Sequence, residues 1–325
     1  MSHSIFAYIA HKCGVADDSA FELALAAKAI DPAASITAIV CGDGSELDGV
    51  CQAVTASYAE VWKIANPSLA YPNAELVRSA LTGILPTGAI VLMAHDTFGM
   101  DLGPGLSIKL GSAFVPDVVG IEGCEGEELK LVRQEYGGQV STHIRCDLST
   151  GAVINVRSGS FQVKEGAAGA GGAVVDKSGD VKGVSGKRRF LEVVTAEVGD
   201  VDITKSDVLV SVGRGIEDQD NISIAQELAD AIGAVVSCSR PIVDAKWLEK
   251  SRQVGTSGKT VKPKVYLALG ISGSFQHMGG IKGNPFIVAI NKNAKAPIFQ
   301  VADIGIVQNL LEFVPELTDK IKEMK

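Results

Sequence analysis

Residues 252–291 read RQVGTSGKTVKPKVYLALGISGSFQHMGGIKGNPFIVAIN, and this stretch decides the fold. It holds a run of small hydroxyl and glycine residues, an apolar strand, the segment Ser272-Gly273-Ser274-Phe275-Gln276-His277, and a second apolar strand ending in Asn291. Glycines at 255, 258, 270 and 273 let backbone N–H groups approach a ligand closely. A strand that ends in Gly270-Ile271-Ser272-Gly273 and opens a short helix points unsatisfied N–H groups at an anion. Gln276 and His277 lie on that helix, one turn from its phosphate end. The layout suits a bulky aromatic cofactor that bears phosphate.

Working outward, residues 207–213 form a buried strand and Gly213-Arg214-Gly215-Ile216 turns the chain into a helix over about 220–232. A strand over 234–237 ends in Cys238-Ser239-Arg240-Pro241, and Pro241 is expected to hold Arg240 extended. This βαβ unit is the first half of a nucleotide-binding sheet. Apolar strands over 265–269, 287–290 and 298–301 follow, and an amphipathic helix over 306–322, interrupted at Pro315, closes the chain.

The N-terminal half also alternates strand and helix. Strands are expected at 4–10, 35–41, 60–64 and 89–94, with helices at 17–29, 45–53 and 71–84. Asp17 or Asp18 caps the first helix, and Pro72 stands near the start of the third, as the first helical position prefers. Strands separated by helices imply right-handed crossovers and a parallel sheet. His95-Asp96-Thr97-Phe98-Gly99 follows the last of these strands at the end where open α/β sheets bind ligands. It reads either as a nucleotide pocket or as a tight connector, with Gly103-Pro104-Gly105 opening a helix through Leu110. From 117 to 156 the pattern becomes β-rich with turn signals, which reads as antiparallel strands, the run 152–156 included, finishing the first sheet. Residues 165–189 are rich in Gly, Ala, Ser and Lys without periodicity, as in a flexible loop or linker. A strand-like run over 190–198 returns to the first domain.

A chain of 325 residues is too long for one ordinary core. With 46% hydrophobic and 21% charged residues it is globular. A net charge of -8 argues against nucleic acid as the main partner. No apolar run reaches the length of a membrane span, so no membrane insertion is expected. The first residues lack the basic region and cleavage site of a secretory signal, and the six cysteines are scattered without a Cys-x-x-Cys pair. Both point to a cytoplasmic location and reduced thiols. No catalytic triad, carboxylate pair or metal-ligand spacing is present, so no catalytic or metal-binding residue is assigned.

The runs SVGRGIED, SCSRPIVDAKWL, RQVGTSGKTVKPKVYLALGISGSFQH, IVAINKNAKAPIFQVADIGIV and LLEFVPELTDKI carry a specific resemblance. Through them the second half resembles the FAD-binding domain of electron transfer flavoprotein alpha subunits. DLGPGLSIKLG, the Tyr-Gly-Gly turn and VRSGSF extend the likeness, with weaker motifs, to the first half. The resemblance implies an α/β chain of two domains. Residues 1–203 make an N-terminal parallel-sheet domain of nucleotide-hydrolase-like form, with the loop or linker at about 165–189. Residues 204–325 make a Rossmann-like FAD-binding domain.

The resemblance further implies a heterodimer with a beta subunit that carries AMP or a second FAD. It implies electron transfer between flavin dehydrogenases, such as acyl-CoA dehydrogenases, and a quinone oxidoreductase or other acceptor. Some relatives bifurcate electrons from NADH, and this alternative stays open. Carried over residue by residue, the cofactor contacts are Arg214, Ser239, Arg240, Val254, Gly255, Thr256, Ser257, Ser272, Gly273, Ser274, Phe275, Gln276, His277, Asn291, Asn309 and Leu310. Ser257 stands where the family often has the threonine that bonds flavin N5. Arg240 stabilises negative charge on the ring, and His277 reaches its N1 and C2-carbonyl side. Asn309 replaces an acidic residue of the family at the ribose. A nicotinamide-dependent dehydrogenase is the competing class, and the absence of GxGxxG after a strand counts against it.

Overall fold

The structure, a computed structural model, describes residues 4–12, 14–136, 140–161, 171–192 and 201–324. The chain divides into two compact units, Met1–Glu192 and Val193–Lys325. Ile203, at the margin of the boundary expected from sequence, is fully buried in the core of the second unit.

Nine strands form one sheet among the described residues of the first unit. They are β1 (Ile5–Tyr8), β2 (Ile36–Gly42), β3 (Glu60–Ala65), β4 (Ile90–Ala94), β5 (Ala113–Glu125), β6 (Glu128–Glu135), β7 (Val140–Asp147), β8 (Ala152–Val156) and β9 (Ala173–Asp176), in the order β9-β3-β2-β1-β4-β8-β5-β6-β7. Helices α1 (Ser19–Ile30), α2 (Glu46–Val54), α3 (Ala74–Ile84) and α4 (Thr97–Leu110) cover it. One face packs Leu23, Ala27 and Val50 against Ala7 and Leu92, and the other packs Val77, Leu81 and Leu102 against Val91 and Val153. Central strands buried on both faces need no polar alternation, so β1, β4 and β8 are apolar at nearly every position.

Several expectations are corrected here. β8 is not antiparallel: it lies between β4 and β5 and runs parallel to both, and in this sheet, among the described residues, the antiparallel pairs are β5–β6 and β6–β7. The glycine-rich stretch is not all linker. Its β9 adds a parallel edge strand on β3, and Val181 and Val184 pack on the core. The Glu75 carboxylate accepts the backbone N–H groups of Lys187 and Arg188, and Arg188 pairs with Asp101. Phe190 stacks on Tyr71 with ring centroids 3.5 Å apart instead of entering a strand. The rest of the strand expected there, 193–198, lies outside the described residues, as does 162–170. Helix α3 starts at Ala74, because the Asn73 side chain accepts from the N–H groups of Glu75 and Leu76, and this leaves Pro72 outside. Helix α4 starts at Thr97 and contains Pro104. The Asp96 side chain caps it by accepting from the Gly99 N–H at 2.6 Å, so the stretch after β4 serves as a helix start.

The second unit holds a five-stranded, all-parallel sheet. Its strands are β10 (Val208–Val212), β11 (Val235–Cys238), β12 (Val265–Leu269), β13 (Phe286–Ile290) and β14 (Ile304–Ile306), in the order β11-β10-β12-β13-β14. Helices α5 (Ile222–Ile232) and α8 (Leu310–Glu323) pack on one face through Leu228, Ala229 and Val314. Loops carrying Val254, Val261, Ile271 and Ile298 cover the other face. Two details differ from expectation. Residues 298–301 are not a strand: Pro297–Gln300 is a 3-10 turn, and the strand comes three residues later. Pro315 sits inside α8 without ending it. Between strands lie two short helices, α6 (Arg240–Asp244) and α7 (Phe275–Met278). Arg240 is not extended before Pro241. Ser239 is the extended cap, and Pro241 falls in the first turn, where its missing N–H costs nothing.

Candidate functional site

At the C-terminal ends of β10, β11, β12 and β13 the second unit opens a cleft of about 670 Å³. That size lies within the roughly 300–1,000 Å³ of cofactor sites, and the place is where parallel sheets bind ligands. Its walls come from the segments that follow each strand. Arg214, Gly215 and Glu217 follow β10, while Ser239, Arg240 and Asp244 follow β11. Residues 253–257 form one side, and Ile271, Ser272, Ser274, Gln276 and His277 follow β12. Asn291, Lys292 and Asn293 follow β13.

Close backbone packing makes this shape. Gly270 has φ of +64°, and a Cβ there would stand 2.7 Å from the Cα of Gly215. The Gly215 N–H donates to the Gly270 carbonyl at 3.0 Å, which draws the first loop against the third. Gly255 has φ of +139°, and a Cβ on it would meet the Gln276 carbonyl at 2.9 Å. The Thr256 N–H donates to that same carbonyl at 2.8 Å. Asn291 ties the far end: its side-chain Nδ2 donates to the Ile271 carbonyl at 2.9 Å, and its Oδ1 accepts from the Asn293 N–H at 2.9 Å.

Cations outnumber anions around the cleft. Arg214, Arg240 and Lys292 line it, against Glu217 and Asp244. Lys292 pairs with Glu217 at 2.6 Å, and the Arg240 Nε lies 3.4 Å from the Asp244 carboxylate. Buried Gln253 donates from Nε2 to the Ser257 Oγ at 2.9 Å. His277 is 5% exposed and its Nε2 lies 2.8 Å from the Tyr266 hydroxyl, while Nδ1 makes no hydrogen bond of good geometry among the described residues. Burial pushes the His277 pKa down to about 4, opposed in part by the Val254 backbone, so the free protein carries a neutral imidazole at this wall.

Comparison with known proteins gives this site its family. The electron transfer flavoprotein domain matches residues 5–180, and the electron transfer flavoprotein FAD-binding domain matches residues 202–282. An electron transfer flavoprotein subunit alpha from Mycobacterium leprae is 34% identical over 322 residues, covering 98% of each chain. The one from Methylophilus methylotrophus is 33% identical over 300 residues, covering 91% of this chain and 92% of the relative. The one from Thermoanaerobacterium thermosaccharolyticum is 34% identical over 267 residues, with coverage of 82% and 81%.

The chain belongs to the electron transfer flavoprotein family. It is an alpha subunit, an electron carrier rather than an enzyme, and an alpha subunit implies a beta subunit. The FAD-binding domain match falls within its second unit. The residues present suit that group: glycines leave room for it at the strand ends, cations line the cleft as a diphosphate would need, and a buried imidazole nitrogen makes no hydrogen bond of good geometry among the described residues. No helix among the described residues is long and apolar enough to cross a membrane.

Most of the residues picked from sequence meet in this one cleft: Arg214, Ser239, Arg240, Val254, Gly255, Thr256, Ser257, Ser272, Ser274, Gln276, His277 and Asn291. Four are not in its lining. Gly273 packs under Ile298, where a Cβ would fall 2.4 Å from that backbone nitrogen. Phe275 points partly to solvent. Asn309 caps α8, its Oδ1 accepting from the Leu311 N–H and its Nδ2 donating to Glu312. Leu310 is buried in the core under that helix. Sequence reasoning passed over Glu217, Gln253, Lys292 and Asn293, which also form the walls. The position of Lys292 and Asn293, just past a strand's C-terminal end, was the available signal.

Proposed function

We propose that the cleft holds FAD through Arg214, Ser239, Arg240, residues 254–257, Ser272, Ser274, Gln276, His277 and Asn291, and that the chain works in the cytoplasm as a heterodimer with a beta subunit. In this reading it carries electrons between flavin dehydrogenases, such as acyl-CoA dehydrogenases, and a quinone oxidoreductase or other acceptor. The observation that carries the reading is convergence. Residues selected from segments far apart in sequence line one cleft of cofactor size at the strand ends of the FAD-binding domain.

Bound FAD supplies the electron-transfer chemistry. The chain's own residues set the surroundings. Arg240, on the first turn after β11, offers a planar cation suited to an aromatic face and to negative charge on the ring. The Gln253 amide can only donate to the Ser257 oxygen, so the Ser257 proton remains available to a ligand acceptor. His277 brings a hydrogen-bonding nitrogen to the wall without a full charge.

The test is to purify the chain with its partner, record the absorption spectrum and separate the nucleotides released by heat. One FAD and one AMP per heterodimer is the expected result for a carrier. Two FAD, reduced by NADH, would move the protein to the bifurcating class. A preparation without flavin that binds NAD tightly would overturn the reading.

A further inference from the structure

Behind the cleft wall lies a group of buried hydroxyls that the reading above does not use. Ser211 on β10 and Ser237 on β11 are fully buried and stand opposite each other in register. Tyr266 on β12, also fully buried, shares their face of the sheet, one pleat below Ala268, which pairs with Ser211. The small Ala268 leaves the phenol room beside the serines. The Tyr266 oxygen meets the His277 Nε2 at 2.8 Å, with the two rings tilted 55°.

We propose that Tyr266 is a positioning residue that fixes His277 in the tautomer with its proton on Nδ1, so that a neutral imidazole presents an N–H to the cofactor in the cleft. A neutral imidazole has one donor and one acceptor nitrogen. Burial raises the Tyr266 pKa far above the ordinary phenol value, so the phenol keeps its proton. That proton needs an acceptor. Ser211 and Ser237 stand close enough to act on the phenol, but neither oxygen is in hydrogen-bonding geometry with it, whereas Nε2 is, at 2.8 Å. The reverse arrangement, Nε2–H donating to the phenol, would leave the buried O–H only the two serine oxygens, which stand outside bonding geometry, and a lost hydrogen bond of this kind costs roughly 1–3 kcal/mol.

With Nε2 accepting, the imidazole proton sits on Nδ1. That nitrogen is buried and makes no hydrogen bond of good geometry among the described residues, the Val254 backbone acting on the ring only weakly, and the ring lines the cleft. A buried polar atom left without a partner calls for a ligand. The inference rests on the reading that the cleft holds FAD, but the tautomer itself does not depend on bound flavin.

The experiment uses the full chain, labelled with 15N at its five histidines and stripped of flavin, in a long-range 1H–15N correlation spectrum. His277→Gln identifies the His277 signals. The expected wild-type result is a single tautomer, protonated at Nδ1 and not at Nε2. A tautomer protonated at Nε2, or a rapidly exchanging mixture, overturns the proposal whatever the cleft binds. FAD is then added. An Nδ1–H signal that moves on addition supports contact with the cofactor. One that stays fixed while flavin binds overturns the donor role of Nδ1. No flavin binding at all sinks the site reading and leaves the tautomer result standing. Tyr266→Phe keeps the ring volume and removes the donor. It is expected to mix the tautomers and to shift the reduction potential of bound flavin. Unchanged His277 signals in this variant would also overturn the proposal, and if it fails to fold the wild-type spectrum decides alone.

Discussion

The side-chain Nε2 of Gln253 donates to the Oγ of Ser257 at 2.9 Å, from a position 4% exposed. The loop between them is tight: a Cβ on Gly258 would fall 2.4 Å from the Gln253 carbonyl oxygen. Gln253 therefore sets which way the Ser257 hydroxyl points. Gln253→Leu keeps the bulk and deletes the donor. A hydrogen bond of this kind contributes about 1 kcal/mol, so flavin affinity is expected to fall by about fivefold. Titrating FAD onto flavin-free protein measures it, and an unchanged affinity would count against an orienting role for Gln253.

Gly270 is where the loops after β10 and β12 pack backbone against backbone. It combines a φ of +64° with contacts under 3 Å from a hypothetical Cβ to Gly215 and to Leu310. Gly270→Ala therefore carries backbone strain of about 1–3 kcal/mol and also pushes two loops and α8 apart. The expected outcome is destabilisation of the second unit by at least about 2 kcal/mol, read by denaturant titration. Wild-type stability in this variant would mean that the loops have room to separate.

Why so much of this site could be read from sequence, and some not, follows from where the information lies. Val265–Leu269 and Phe286–Ile290 are short apolar runs bounded by turn residues, so their existence and approximate ends were legible. The loops after them bear the polar residues, and strand-end geometry converts that order into one cleft. Ile298 misled because it is fully buried although its segment is a 3-10 turn. Apolar content reports burial, not conformation. β8 misled in the opposite way. Ala152–Val156 is buried at every position, which is the mark of a parallel central strand, but its neighbours in sequence form hairpins. α4 contains three glycines and Pro104, poor helix formers. There the packing explains the helix: a Cβ at Gly99 or Gly103 would collide with Ala94 or Asn155, so the glycines let α4 approach the sheet. Such a demand is invisible without the partner surface. Asn309 could be matched to a family position, but nothing in the sequence told a helix cap from a ligand contact.

His277 makes stability depend on pH. Burial lowers its pKa from 6.5 to about 4, so between those values the unfolded chain binds more protons than the folded one. Stability is complete above about pH 6.5 and is lost as pH falls toward 4. A shift of that size corresponds to about 3 kcal/mol. In flavin-free protein, His277→Gln is expected to flatten this limb of the stability curve, measured by denaturant titration at several pH values. An equally steep limb in the variant would place its origin in other groups.

Asn309 offers the cleanest separation of fold from cofactor contact. Its Oδ1 accepts from the Leu311 N–H at 3.1 Å and its Nδ2 donates to Glu312 at 3.2 Å, which closes the first turn of α8. Neither Asn309 nor Leu310 belongs to the cleft lining. Replacing a capping Asn by Ala costs about 1 kcal/mol, whereas Ser keeps a capping oxygen. Asn309→Ala is therefore expected to lower the melting temperature by a few degrees, with Asn309→Ser close to wild type and flavin affinity preserved in both. Suppose instead that both variants melt like wild type and lose flavin about tenfold or more, a deficit of roughly 1.4 kcal/mol. The ribose contact implied by the family resemblance would then be the role of Asn309, and the cap would be incidental.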